Sequence, residues 1–378
     1  MLLGIAAALL AGALLWEAAP ARAAERERTD LSTLTRQQLA GQRAIYSYPG
    51  LTPPPRLLQL IRNGRVGGVI FYGANISSKA QIRAVIDRLQ AARRQSVIRE
   101  PLLITTDQEG GLVRRVPGAP VLSEAEVGAS GQVTHFGTQA GTNAGINLRE
   151  AGVNVNLAPV LGVYRQPGDF LDRFQRAYSM LPGVASAAGS AFVAAQQRKG
   201  VAATIKHFPG LGAAGANQDT DVEPVTLHLS LETLRTVDLI PYPASINAGA
   251  RMLLSSWAVY PALDPKRPAG LSKRWMQDEL RGRLRYRGVT ITDAIEAGAL
   301  EAYGRTPNRA VLAADAGQDL LLFSSRSISQ GIEGRQGLAR ALQSGRLNQA
   351  EFMASVRRVM QLRADLAKRP KGPLPAPR

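Results

Sequence analysis

The stretch VAATIKHFPGLGAAGANQDTD, Val201 to Asp221, decides the fold. Val201 to Ile205 is a run of β-branched and small residues, which reads as a buried strand. Lys206 and His207 stand at its end, and Phe208-Pro209-Gly210 turns the chain. The loop that follows carries Asn217, Asp219 and Asp221. One strand tip therefore delivers a cation, an imidazole and two carboxylates. In α/β proteins ligands bind at strand carboxyl ends and the loops after them. A lone Lys-His pair would read as an ordinary strand end with a solvated loop. The length of this pattern favours a functional site.

Working outward, the same grammar recurs. Strands are expected over Gln42–Tyr48, Val66–Tyr72, Pro101–Thr106, Val153–Val160, Val201–His207, Arg251–Ser256, Gly288–Thr292 and Asp319–Phe323. Helical patterns lie between them: Leu57–Asn63, a helix to Ser96 capped by Ser77 or Ser78, Glu124–Gly152, Pro182–Lys199, Ser230–Ala248, Leu271–Leu284, Thr306–Ala316 and Leu338–Ala367. Thr29 or Ser32 would cap a short lead-in helix before Gln38. Eight short apolar strands alternating with helices predict parallel βα units. Eight is the closed-barrel number, so the expected fold is α/β, a single (β/α)8 TIM-type barrel. A doubly wound open sheet is the alternative, but no Gly-x-Gly-x-x-Gly follows the first strand, and no Gly-Lys-Ser/Thr phosphate loop occurs.

The 378 residues are 45% hydrophobic and 20% charged, an ordinary globular composition. Forty-six basic against twenty-nine acidic residues give +17. The basic residues are spread among Ala-rich helices without interleaved aromatics, so no nucleic-acid partner is expected. An anionic surface such as a bacterial cell wall would fit the charge. There is no cysteine, which excludes disulfides, thiolate nucleophiles and Cys-ligated metals. His135, His207 and His228 are scattered, so neither a metal nor an organic cofactor is expected. Met1 to Leu15 is nearly all apolar, and Ala21-Arg22-Ala23 reads as a cleavage site. Residues 1–23 are expected to be a signal peptide, with an uncleaved membrane anchor as the alternative. Residues 24–368 form the barrel, and 369–378 are a Pro- and Arg-rich tail expected to be disordered.

Three strand tips carry charge: Asp107 after LLITT, Lys206-His207 after VAATI and Asp293 after GVTIT. Placing an unpaired carboxylate beside a core is costly, so its repetition points to a shared polar pocket. Asp293 alone could equally cap a helix over Ala294–Leu300. Glycoside hydrolysis needs two carboxyls, one ionised and one protonated. Asp293 would suit the nucleophile. Lys206, Arg115 and Arg176 would keep neighbouring carboxylates ionised or hold sugar hydroxyls.

Asp107-Gln108-Glu109-Gly110-Gly111-Leu112-Val113-Arg114-Arg115, Asn156-Leu157-Ala158-Pro159-Val160, Arg176-Ala177-Tyr178-Ser179, Lys206-His207-Phe208-Pro209-Gly210 and Gly288-Val289-Thr290-Ile291-Thr292-Asp293 occur in that order. Over about Leu34 to Ala364 the chain resembles the N-terminal barrel of glycoside hydrolase family 3, in the short form of the bacterial β-N-acetylhexosaminidases. The resemblance implies that Asp293 is the nucleophile of a retaining mechanism. It implies that Asp107, Arg115, Arg176, Lys206 and His207 hold the non-reducing sugar. The family's N-acetylhexosaminidases place the acid/base in an Asp-Ser/Thr-His triplet on the loop after KHFPG. Here that loop reads Asn217-Gln218-Asp219-Thr220-Asp221, without histidine. Counted without a gap, Asp219 takes the histidine position; with a two-residue insertion, Asp221 does. Leu112, Gly162 and Trp257 also depart, standing where arginine, aspartate and histidine are usual.

The expected function is an exported, monomeric retaining β-glycosidase. It would release terminal β-linked N-acetylglucosamine from cell-wall or chitin-type oligosaccharides, as in peptidoglycan turnover. Asp293 and either Asp219 or Asp221 would be catalytic. A β-glucosidase or β-xylosidase of the same family is the rival. A carbohydrate-binding pseudoenzyme is the rival from outside enzymes.

Overall fold

The computed structural model describes residues 28–368, so the expected signal peptide and tail lie outside the described residues. Eight strands form a closed barrel: β1 (Ala44–Tyr46), β2 (Gly68–Phe71), β3 (Leu103–Thr106), β4 (Val155–Asn156), β5 (Ala202–Phe208), β6 (Met252–Ser255), β7 (Val289–Ala294) and β8 (Leu320–Leu322). Each is parallel to the next in chain order, and β8 pairs back onto β1, with Ala44 opposite Leu321. This is the closed α/β barrel that the alternating pattern predicts, and it rules out the open sheet.

The strands are buried on both faces, which is why they read as continuous apolar runs. Their period-two alternation sorts the side chains. Ile45, Ile70, Leu103, Met252, Leu254, Ile291, Leu320 and Leu322 fill the barrel interior. Tyr46, Val69, Phe71, Ile104 and Leu321 point outward against the helices.

Four expected elements differ in detail. The helix expected over Glu124–Gly152 is two, Glu124–Ala129 and Val133–Ala151, parted where Gly131 turns with φ 69°. The last helical region starts earlier than expected, at Ile328, and runs as Ile328–Gln343 and Gln349–Ala367. Glycines in its first turns lower helix propensity, but they let the helix press onto the Tyr46 and Phe323 rings, and packing prevails over propensity. At the start of the chain the caps are Asp30 and Thr35, not Thr29 or Ser32. Thr29 instead donates its hydroxyl to Glu100 at 2.5 Å. No helix forms directly after Asp293: the next turn is Gly298–Tyr303, capped at Ala297, so Asp293 is not an N-cap.

Candidate active site

Strand parity aims the polar groups. Along β3 and its continuation, Leu103 fills the interior, and Asp107 and Glu109 fall at the same parity. On β7, Ile291 is interior and Asp293 follows two residues on. On β5, Ile205 packs outward and Lys206 therefore faces in. Each of these polar groups thus lies on the inward face, at the carboxyl end of the barrel.

All eight residues expected from sequence, Asp107, Arg115, Arg176, Lys206, His207, Asp219, Asp221 and Asp293, line one cavity of about 210 Å³. Ile70, Leu157, Leu254 and Leu322 form its floor, and Tyr72, Phe170 and Ser324 complete the wall. The volume suits a single sugar ring.

At its base lies a buried charge network. Lys206 Nζ sits 2.8 Å from Asp107 Oδ1 and 2.7 Å from Glu109 Oε1. Arg176 grips Glu109 in a bidentate pair, Nε to Oε2 at 2.8 Å and Nη2 to Oε1 at 2.9 Å. Burial alone would push Glu109 up, but the Arg176 and Lys206 charges more than offset it and hold its pKa far below the carboxylate range. Burial likewise opposes the Lys206 charge, and Asp107 and Glu109 outweigh it, so its pKa is raised. Beneath them, Glu124 is pushed well above its ordinary value, first by burial and then by the Glu109 charge, so it is a neutral acid. Its Oε1 accepts the Val160 N–H at 2.9 Å.

His207 is buried, and burial followed by the Lys206 and Arg176 charges pushes its pKa well below normal, leaving a neutral imidazole. His207 Nδ1 and Arg115 Nε are buried without a hydrogen-bond partner among the described residues. Buried polar atoms are nearly always paired, so two unpaired ones on the same cavity wall mark places for ligand oxygens.

Asp293 faces the cavity, and its Oδ1 accepts the Ala294 N–H at 2.8 Å. Burial first, and then the Asp221 charge, push its pKa up to about 7, against the pull of Ala294 N–H and Lys206. Asp221 shares this coupling. Burial of its carboxyl and then the Asp219 charge raise its pKa. The loop bearing both is pinned from outside: Gly298 N–H donates to Asp221 O at 2.8 Å and Ala299 N–H to Thr220 O at 3.2 Å. Position 298 must be glycine, since a Cβ there would stand 1.9 Å from Val222 O.

The three departures have distinct places. Leu112 is exposed. Leu171 packs over Gly162, leaving no room for a side chain. Trp257 is fully buried and donates Nε1–H to Ala294 O at 2.8 Å, next to the candidate nucleophile.

Sequence reading missed Glu109, Glu124 and Glu296 as parts of the site. The signal for Glu109 was its parity with Asp107. Glu124 gave none, because it comes from the first turn of a helix and not from a strand tip. Glu296 accepts from Ser324 N and Oγ, at 3.3 and 2.7 Å, and from Gln330 Nε2 at 2.9 Å. Among the described residues no group of three or more His, Asp or Glu side chains is arranged to hold a metal ion.

Residues 48–362 match the model of the glycosyl hydrolase family 3 N-terminal domain. A protein of Arthroderma benhamiae named an uncharacterized secreted glycosyl hydrolase is 46% identical over 330 residues, covering 87% of this chain and 93% of the relative. The β-hexosaminidase A of Pseudoalteromonas piscicida is 31% identical over 337 residues, covering 83% of this chain and 56% of the relative. The structure of a family 3 β-N-acetylglucosaminidase from Paenibacillus sp. str. FPU-7 superimposes with a TM-score of 0.84 at 32% identity, over 88% of this chain and 63% of that one. This chain thus spans nearly all of the first relative and a little over half of the other two.

Proposed function

The chain belongs to glycosyl hydrolase family 3, and from that premise we propose that it is an exported retaining β-N-acetylhexosaminidase. It removes terminal non-reducing β-linked N-acetylglucosamine from wall-type or chitin-type oligosaccharides. The observation that carries the proposal is the convergence of Asp293 with Asp107, Arg176, Lys206 and His207 on one ring-sized cavity. The names of the relatives from Pseudoalteromonas and Paenibacillus point to the N-acetylated sugar.

In this reading the sugar ring lies on the apolar floor, with its hydroxyls toward Asp107, Lys206, Arg115 and His207. Lys206 and Arg176 are fixed by Glu109, so they meet the ligand without reorganising. The Asp293 carboxylate attacks the anomeric carbon, and a glycosyl-aspartate forms and is then hydrolysed. Export is supported by the name of the Arthroderma relative. Among the described residues no helix is long and apolar enough to cross a membrane. The barrel domain, residues 24–368, is proposed to act as a monomer.

The test is hydrolysis of aryl β-N-acetylglucosaminides beside the corresponding glucosides and xylosides. The N-acetylated series should be turned over fastest. Asp293→Ala should abolish turnover, and a fluorinated glycosyl donor should label the Asp293 peptide in the wild type. Preference for the glucoside or xyloside would move the substrate assignment. Sugar binding without any turnover would replace the enzyme by a binding protein.

A further inference from the structure

Seven carboxyls belong to the site: Asp107, Asp219, Asp221 and Asp293 line the cavity, whereas Glu109, Glu124 and Glu296 stand behind its wall, and Glu124, raised though its pKa is, accepts the Val160 N–H there and does not reach the cavity. A proton donor must be neutral before the reaction, so a carboxyl that already receives N–H or cationic donors is unsuited. Asp107 takes Lys206, and Glu109 takes Lys206 and Arg176. Glu296 accepts three donors from Ser324 and Gln330. Asp219 Oδ1 accepts the Asp221 N–H at 2.9 Å, and its carbonyl accepts the Val222 and Glu223 N–H groups at 3.1 and 3.0 Å. Asp219 therefore works as the cap of the turn that presents Asp221.

Asp293 accepts the Ala294 N–H and is the group the nucleophile's role requires. That leaves Asp221. No donor among the described residues reaches its carboxyl, although its backbone is fixed on both sides, by Asp219 at N–H and by Gly298 at the carbonyl. It lines the same cavity as Asp293. Burial and then the Asp219 charge raise its pKa, the direction a proton donor needs.

We propose that Asp221 is the acid/base residue of the glycosidase, acting where the family's hexosaminidases use a histidine, and that Asp219 is its positioning residue. This rests on the glycosidase reading above. In the first step the Asp221 proton passes to the glycosidic oxygen as the C1–O bond breaks. That bond's electron pair leaves with the oxygen, and an Asp293 lone pair forms the new bond to C1. In the second step water attacks C1, its proton returns to the Asp221 carboxylate, and the C1–Asp293 bond breaks with its electrons returning to Asp293.

The experiment compares wild type, Asp221→Asn, Asp219→Asn and Asp293→Ala on phenyl and 2,4-dinitrophenyl N-acetyl-β-glucosaminides, with and without azide. A missing acid hurts only substrates whose leaving group needs a proton. For Asp221→Asn we expect a loss of roughly 10²- to 10⁴-fold on the phenyl glycoside, and a far smaller one on the activated substrate. Azide should accelerate this variant and give the β-glycosyl azide. Asp219→Asn should lose similar factors on both substrates, and azide should not rescue it. Thermal melting and N-acetylglucosamine binding by calorimetry confirm that each variant is folded with its pocket intact. Equal losses on both substrates for Asp221→Asn overturn the assignment, as does leaving-group dependence in Asp219→Asn instead. If the wild type is inert on the whole series, or Asp293→Ala retains turnover, the glycosidase reading itself fails and takes the donor with it.

Discussion

Glu109→Gln probes whether the buried charge network, rather than the visible cavity wall, holds the site together. Glu109 is about 2% exposed and accepts one contact from Lys206 and two from Arg176, all between 2.7 and 2.9 Å. Glutamine keeps the shape but turns one acceptor oxygen into an NH2 aimed at a cation. Asp107 is then the one anion left for both Lys206 and Arg176. Breaking a buried ion pair by removing one partner costs ~3–5 kcal/mol. Since Asp107 still pairs with Lys206, the lower end applies, about 3 kcal/mol. At roughly 2.1 cal/mol/K per residue, a chain of this length unfolds with an entropy of about 0.8 kcal/mol/K, so the melting midpoint should fall by ~4 °C. The assay is thermal melting by circular dichroism in low salt and in about 1 M NaCl, where exposed pairs are screened and buried ones much less. Adding Arg176→Met should recover part of the loss, because the buried cation left without its bidentate partner disappears. A fall under about 1 °C, or one that vanishes in high salt, would show that solvent already screens the network and would refute the reasoning.

Three further outcomes follow from the same geometry. Glu124 is neutral when folded and ionises when unfolded, so its favourable contribution is complete below its ordinary pKa and is lost as pH rises toward its raised folded value; Glu124→Gln should therefore gain melting temperature over wild type progressively from pH 5 to pH 8, and a pH-independent difference would count against a buried neutral acid. Asp293 must be ionised to attack, so the acid limb of kcat/KM on an activated substrate should lie near its value of about 7; a limb in the ordinary aspartate range would mean that burial does not raise this carboxyl. Gly298→Ala would drive a Cβ into the Val222 carbonyl and shift the Asp219–Asp221 turn, lowering the melting midpoint and, in the protein that remains folded, kcat/KM on the order of 10²-fold; unchanged kinetics would mean that the turn does not position the acid.

The barrel was legible because its strands are buried on both faces, so each wrote itself as an apolar run, and three of those runs end on a charged residue. Parity along those runs also carried the inward aim of Asp107, Lys206 and Asp293. Glu109 has the same parity, yet it lies beyond the end of the apolar run at Thr106, where no periodic pattern marks which way a side chain points. The strand register that sets Lys206 against Asp107, ninety-nine residues apart, is a property of barrel closure and has no local trace in the sequence. The choice between Asp219 and Asp221 was illegible for a related reason. Both are aspartates two residues apart on one loop, and composition cannot rank them. What separates them is which one spends its side chain on a backbone N–H. That follows from how the turn is clamped by Gly298 and Ala299, nearly eighty residues further along the chain. A side chain already used to fix the fold is poorly placed to trade protons, so the free carboxyl of the two is the one left to do the chemistry.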